Sequence, residues 1–94
     1  MDTSFEIIEK ESIEALKFPH GEVLKDTALI NDRTANLNKA LSLGNLEHFK
    51  IKIYFEDNTK KLMVDTTVWG LTEERVILKQ GVVIPIERIH KLEL

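Results

Sequence analysis

The alternation of apolar and polar side chains over residues 48–55 is the feature that most limits how this 94-residue chain can fold. The apolar positions are Phe49, Ile51, Ile53 and Phe55, and the polar positions are His48, Lys50, Lys52 and Tyr54. A period of two sends successive side chains to opposite faces of an extended strand. The pattern therefore predicts a half-buried β-strand with a polar outer face.

Four more strands are predicted after this one, at about 62–71, 75–79, 82–84 and 90–94. Polar residues at 56–60 supply a hairpin turn after the first strand. Pro85 cannot donate to a ladder, so the fourth strand ends there or lies at an edge. Strands joined by tight turns pair antiparallel, and five twisted strands with one apolar face curl into a small, partly open barrel.

The first part of the chain has a helical rather than an alternating pattern. A short helix is expected near residues 10–17, and a clearer one runs from about 32 to 43. Asn31 is the predicted N-cap of the second helix, and Gly44 is its predicted left-handed C-terminal residue. The whole chain, 1–94, is therefore predicted to be one α+β domain. Residues 1–45 are its helical or irregular part, and residues 46–94 are a five-stranded antiparallel, strongly curved sheet.

The order of elements, together with the segment from Val82 to Ile89, resembles the Sm-like and Src-homology-type small β-barrels. The resemblance covers about residues 31–94 and concerns topology. It implies a single tight helical turn at Ile86–Ile89 between the fourth and fifth strands. The uridine-binding signature of Sm proteins does not occur in this chain, so ring assembly and RNA binding do not carry over from the resemblance.

Composition narrows the chemistry that the chain can carry. It has no cysteine, which excludes disulfides, thiolate metal sites and thiol nucleophiles. Its four glycines are isolated, so no glycine-rich phosphate loop occurs. The histidines, His20, His48 and His90, lack the spacing of a metal motif, although His48 and His90 could meet if their strands are neighbours. We expect no metal and no cofactor, and we favour a non-enzymatic protein.

Charge is distributed unevenly along the chain. Residues 1–47 carry 5 basic and 9 acidic side chains, whereas residues 48–94 carry 8 basic and 7 acidic ones. The overall pI of about 5.6 argues against strong non-specific binding of nucleic acid, but a modest basic face remains possible in the second half. The N-terminal sequence is not that of a signal peptide, and no apolar run is long enough to span a membrane. A cytoplasmic location is therefore expected.

The candidate binding surface is the polar face of the first two predicted strands. Its residues are Lys50, Lys52, Tyr54, Asp65 and Trp69. Lysines beside aromatic rings suit a protein interface or the stacking of single-stranded RNA bases. The alternative is that Trp69 is a core residue and that the lysines are ordinary solvated charges. A register error of one residue would exchange the two faces.

We predict a small interaction module that binds another protein or associates with itself. One alternative is an RNA-binding or transcription-associated module that uses the face of Lys50, Lys52, Tyr54 and Trp69. A second alternative is a small-ligand protein or enzyme centred on Asp65, since this carboxylate interrupts an apolar strand rich in threonine. The structural interpretation of Asp65 is a cross-strand ion pair with Lys50 or Lys52.

Overall fold

One long helix and seven short strands make up the computed structural model, which describes residues 5–94 of the predicted domain 1–94. The helix, α1, spans Thr27–Glu47. The strands are β1 (Glu6–Ile7), β2 (Ile51–Glu56), β3 (Lys61–Thr66), β4 (Val68–Leu71), β5 (Arg75–Leu78), β6 (Val83–Pro85) and β7 (Ile89–Glu93). Short 3-10 turns lie at Lys10–Ala15, Lys79–Gly81 and Ile86–Arg88. The last of these is the helical turn that the resemblance implied between the final two strands.

The strands form two sheets rather than one. The first has the order β1-β3-β2-β7, and the second has the order β4-β5-β6. All strand pairs are antiparallel except the parallel pair β1–β3. The α+β class is thus confirmed, but the single five-stranded antiparallel sheet is not found, and residues 5–94 contain no closed barrel.

The predicted strand at 62–71 divides at Thr67. Three consecutive residues, Thr66, Thr67 and Val68, are all buried, so the strict alternation of a single strand is broken there. The carbonyl oxygen of Thr67 accepts a hydrogen bond from the amide of Lys79 at 3.0 Å. The chain therefore leaves the first sheet and enters the second through one residue.

Helix α1 begins earlier than the sequence predicted. Asp26 is the N-cap, and its side chain accepts a hydrogen bond from the amide of Ala28 at 2.9 Å. Asn31, the predicted cap, lies inside the helix. Both residue types can cap a helix, so the capping preference alone did not distinguish them.

Helix α1 also ends later than predicted, because Gly44 is an internal residue of the helix. The left-handed residue at the end is His48, with φ 58° and ψ 31°. Gly44 is buried against β4, where an added Cβ would lie 2.1 Å from the carbonyl oxygen of Val68. This glycine therefore permits close helix–strand packing and does not terminate the helix.

The core lies where α1 and the N-terminal segment, residues 5–25, cover the sheets. Its most completely buried large side chains include Leu37, Ile53, Phe55, Leu62, Leu78, Ile84 and Ile89. The N-terminal segment contributes Ile13, which is buried, and Phe18, whose ring centroid lies 6.0 Å from that of Phe55. The region predicted to be helical or irregular thus supplies part of the core.

Candidate functional site

The predicted binding residues on β2 and β3 share one face of the first sheet. Lys52 lies directly opposite Asp65, and Tyr54 lies opposite Met63. Both Lys52 and Asp65 are exposed. Asp65 thus occupies the cross-strand position that the structural interpretation required, with Lys52 rather than Lys50 as its neighbour.

Tyr54 is held within a side-chain cluster at the β2–β7 side of this face. Its hydroxyl donates to Glu93 Oε1 at 2.7 Å, and the Lys91 ammonium lies 4.8 Å from its ring centroid. The ring of Phe5 meets it edge-on at a centroid distance of 5.1 Å. Half-buried and contacted in this way, Tyr54 is poorly suited to stack against a base.

Trp69 is a surface residue, so the interpretation that it belongs to the core is wrong. Its side chain is 49% exposed, while Val68 before it is 1% exposed. The β4–β5 pairing shifts register between Val68 and Gly70, which places Trp69 within an irregularity of the ladder. Val68 therefore fills the buried position at this point of β4, and the Trp69 side chain faces solvent.

Two further apolar side chains are exposed at the end of α1. Leu46 is 81% exposed and Phe49 is 51% exposed. The alternating pattern placed Phe49 in the buried row, but β2 begins only at Ile51, and Phe49 lies in the connection between the left-handed residue His48 and that strand. Sequence reasoning missed Leu46 because the helix was predicted to end at residue 43.

The exposed residues Leu46, Phe49 and Trp69 each lie within two residues of the contact between the end of α1 and the start of β4, and they are called the apolar end patch below. Gly44 packs against Val68, and the Thr67 hydroxyl donates to the carbonyl oxygen of His48 at 3.5 Å. These contacts bring the end of α1 against the start of β4. The patch therefore rests on a helix end and a strand that are in direct contact.

Lysine side chains flank the apolar end patch. Lys50 follows Phe49, and Lys52 follows on the same strand. Lys79, which sequence reasoning did not single out, lies beside the start of β4 because its amide donates a hydrogen bond to the carbonyl oxygen of Thr67. All three are exposed, and the acidic residues near them along the chain and the ladders are Glu47, Asp65 and Glu93, the last two opposite Lys52. The predicted residues Lys50, Lys52 and Trp69 thus belong to this end, whereas Tyr54 belongs to its own cluster.

A separate polar cluster joins β2, β7 and the N-terminal segment. Glu56 Oε1 lies 2.6 Å from His90 Nε2, and Glu56 Oε2 lies 3.3 Å from Arg88 Nη2. Arg88 also donates to the carbonyl oxygens of Gly21 and Asp57, at 2.9 and 3.1 Å. His90 therefore contacts Glu56 and does not complete a histidine pair. Within residues 5–94, no group of three or more metal-ligating side chains is assembled.

A groove of about 650 Å³ lies between residues 18–22 and the β5–β6 region. Its floor includes Phe18, Val83 and Ile86. On its wall, the Arg33 guanidinium makes a two-point contact with the Glu22 carboxylate, at 2.6 and 2.7 Å. That hydrogen-bonded contact holds the pKa of Glu22 below its ordinary value. No sequence motif marked this groove, because its walls come from distant parts of the chain.

No protein-family model, curated protein or solved structure significantly matches this chain. Of the helices in the described part of the chain, none is both long and apolar enough to cross a membrane. With no similar protein to compare, the evidence for function lies in the geometry and charge of the candidate sites.

Proposed function

We propose that this protein is a non-enzymatic interaction module that binds a protein partner through the apolar end patch. The observation that carries the proposal is that Trp69, Phe49 and Leu46 are all exposed and each lies within two residues of the contact between the end of α1 and the start of β4. Large apolar side chains grouped on a surface are typical of interaction sites, and tryptophan is among the residues enriched at binding hot spots.

The flanking charges indicate the chemistry of the partner. Lys50, Lys52 and Lys79 provide cations around the apolar centre. An acidic segment with one or two bulky apolar side chains would bury its anchor against Trp69 and place carboxylates near the lysines. Such a rim accelerates association and selects for charge, while the apolar centre supplies most of the affinity.

A protein partner suits this surface better than single-stranded RNA. A nucleic acid carries a charge at every nucleotide, so the formal net charge of −3 disfavours it more than a short peptide with a few carboxylates. Tyr54, one of the rings expected to stack on bases, is engaged by Glu93 and Phe5. RNA binding is therefore the competing result that the binding test below can detect.

The fold supports this role as a rigid platform. We propose that the two sheets act as one curved scaffold, similar in topology to Sm-like barrels, because Thr67 alone separates β3 from β4. A cytoplasmic setting agrees with the lack of cysteine and is part of the same proposal.

The binding test uses Trp69 as its own reporter, since it is the one tryptophan of the chain. The probes are two synthetic peptides with the same leucine and phenylalanine positions, one carrying glutamates and the other lysines. We expect the acidic peptide to shift Trp69 emission to the blue and the basic peptide to leave it unchanged. Leu46→Ser and Phe49→Ser should each weaken binding roughly five- to thirtyfold, the equivalent of about 1–2 kcal/mol.

Two matched variants serve as controls. Leu29→Ser alters a side chain on α1 that is as exposed as Trp69, at 49%, and should leave affinity unchanged. Lys50→Gln should weaken binding at low salt, while Lys25→Gln, which removes the same charge near the other end of α1, should not. Equal weakening by Leu29→Ser would contradict the proposal. Salt-dependent binding of an oligouridylate at this patch, or a Phe49-dependent dimer formed without peptide, would replace the proposed partner by RNA or by a second copy.

A further inference from the structure

Within residues 5–94, no strand pairs with the outer edge of β6. β6 is the last strand in the order β4-β5-β6, and it pairs with β5 so that Val76 faces Ile84 and Ile77 faces Val83. The amide of Leu78 donates to Val82 O at 2.7 Å, and the amide of Ile86 donates to Glu74 O at 2.9 Å. These two bonds show which residues of β6 direct their backbone N–H and C=O groups towards β5.

Hydrogen-bonded and non-hydrogen-bonded pairs alternate along an antiparallel ladder. Because Val82 and Ile86 belong to hydrogen-bonded pairs, Ile84 does too, and Val83 and Pro85 point their backbone groups away from β5. The free edge therefore offers the N–H and C=O of Val83, since the C=O of Pro85, the N-cap of the 3-10 turn Ile86–Arg88, accepts the first hydrogen bond of that turn. Proline is tolerated here because its missing N–H would have faced outward.

The N-terminal segment bonds to the turn that follows β6. The amide of Val23 donates to the carbonyl oxygen of Glu87 at 3.0 Å, within the 3-10 turn Ile86–Arg88. The groove described above then runs beside the unoccupied stretch, with both Val83 and Pro85 among its lining residues. Val83 is 40% exposed, so its side chain and edge are open to an incoming segment.

The groove carries more negative than positive charge. Its lining includes Glu22, Glu73, Glu74 and Glu87 against Arg33 and Arg75. Glu22 is neutralised by Arg33, whereas Glu73 and Glu74 are exposed at the β4–β5 turn. An extended backbone lying along β6 would carry its side chains past these carboxylates and over the apolar floor at Phe18 and Ile86.

We infer that the β6 edge binds an extended, basic peptide segment as an added strand. Backbone hydrogen bonds to the N–H and C=O of Val83 would give register, and lysine or arginine side chains would pair with Glu73 and Glu74. This site is distinct from the apolar end patch in position and in the charge it selects. Its test is therefore independent of the proposed function.

The experiment uses the full chain and a short, end-blocked peptide that alternates valine with lysine. Amide exchange and chemical shifts of Val83 are followed by NMR during the titration. We expect exchange of the Val83 amide to slow by about tenfold or more on saturation. A peptide with N-methylated backbone amides on its pairing edge should bind at least about tenfold more weakly, because it cannot donate to the free carbonyl of Val83.

Two variants separate the backbone and charge contributions. Val83→Pro removes the outward N–H, and the preceding Val82, at φ −69° and ψ 138°, already has a backbone that proline accepts after it. It should lose peptide binding, whereas Val83→Thr, which keeps the N–H, should retain it. The double variant Glu73→Gln and Glu74→Gln should weaken binding of the basic peptide severalfold at low salt.

Strand addition requires that the Val83 amide be protected and that both N-methylation and Val83→Pro reduce affinity. The N-methylated peptide tests the backbone contacts on the unaltered protein, even if Val83→Pro fails to fold. Equal binding of the N-methylated peptide, or of an acidic peptide of the same pattern, would overturn the inference. Protection of Val83 that rises with protein concentration in the absence of peptide would also overturn it, since a second copy would then occupy the edge.

Discussion

Arg33 is the buried charge on which the N-terminal segment depends. Its side chain is 4% exposed, and it donates to both Glu22 oxygens and to the carbonyl oxygen of Ile89 at 2.9 Å. Its Nε is the buried side-chain nitrogen without a partner among residues 5–94. A buried guanidinium is tolerated only when its charge is matched, so Glu22 is structurally necessary although its own side chain is one-third exposed.

Replacing Glu22 by glutamine should lower the free energy of unfolding at pH 7 by about 2 kcal/mol, because charged hydrogen bonds to a buried arginine are lost. The effect should depend on pH. The Arg33 contact lowers the pKa of Glu22 in the folded state, so the unfolded chain binds the proton more readily. The stabilisation is full above the unfolded pKa and is lost as pH falls through the folded pKa. Urea unfolding of both proteins at a series of pH values from 7 down to 3 measures this loss of stability.

Glu87→Gln is the matched control for this prediction. Glu87 lies 3.5 Å from His20, whose side chain is fully exposed, and surface pairs of this kind contribute about 0–1 kcal/mol. The gap between the wild type and Glu22→Gln should narrow below about pH 4.5, where the carboxyl begins to protonate in the unfolded chain. A gap that stays constant down to pH 3 would show that Glu22 acts through packing and not through its charge.

At the scale of secondary structure elements, the contact between α1 and β4 limits the fold. Gly44 allows the helix backbone to approach Val68 so closely that no Cβ fits between them. Leu46, Phe49 and Trp69 are exposed, and each lies within two residues of this contact. Helix propensity and tertiary packing therefore oppose each other at residue 44.

Gly44→Ala should destabilise the protein by about 2 kcal/mol. Alanine gains roughly 1 kcal/mol of helix propensity, but its Cβ would meet a backbone oxygen, which cannot rotate away, and overpacking commonly costs about 1–3 kcal/mol or more. Asn45→Ala, at the exposed neighbouring position, should be neutral or slightly stabilising. Thermal and urea unfolding of the two variants measure these changes in stability. A stabilised Gly44→Ala protein would mean that α1 can move away from β4 without loss.

The sequence predicted elements well and their connections less well. Alternation identified β2, and the polar turn after it has the expected register, with Glu56 opposite Lys61. The end of α1 was misplaced because Gly44 has the signature of a C-terminal glycine, and only packing against Val68 shows its other role. β1 was not predicted as a parallel strand because two residues carry almost no pattern.

For the candidate site too, single residues were predicted better than the way the fold groups them. Lys50, Lys52 and Trp69 were identified because a strand pattern assigns them to an outer face. The apolar end patch as a whole could not be predicted, since Leu46 belongs to it only if α1 continues past Gly44. The β6 edge was suggested by Pro85 alone, and its acidic groove depends on tertiary contacts between Phe18, Glu73 and Ile86.

For the whole molecule, the N-terminal segment is fastened to the strands along its length. The amide of Asn58 donates to Lys17 O at 3.0 Å, and Val23 and Gly21 bond to Glu87 and Arg88. Lys60 Nζ also lies 3.6 Å from Glu6 Oε1. The acidic first half of the chain is thus tied to the near-neutral second half, and residues 8–93 should unfold as one cooperative unit.

Native-state hydrogen exchange tests this cooperativity. The amides of Val23 and Asn58 join the N-terminal segment to the rest, and that of Ile53 lies in the centre of the first sheet. If the segment opens only with the whole molecule, the three should share an opening free energy to within about 1 kcal/mol, and Glu22→Gln should lower all three together. Val23 and Asn58 exchanging far more easily than Ile53 would instead show that the segment detaches by itself. In that case the groove beside β6 would open and close with it, because Phe18 and Glu22 are among its lining residues.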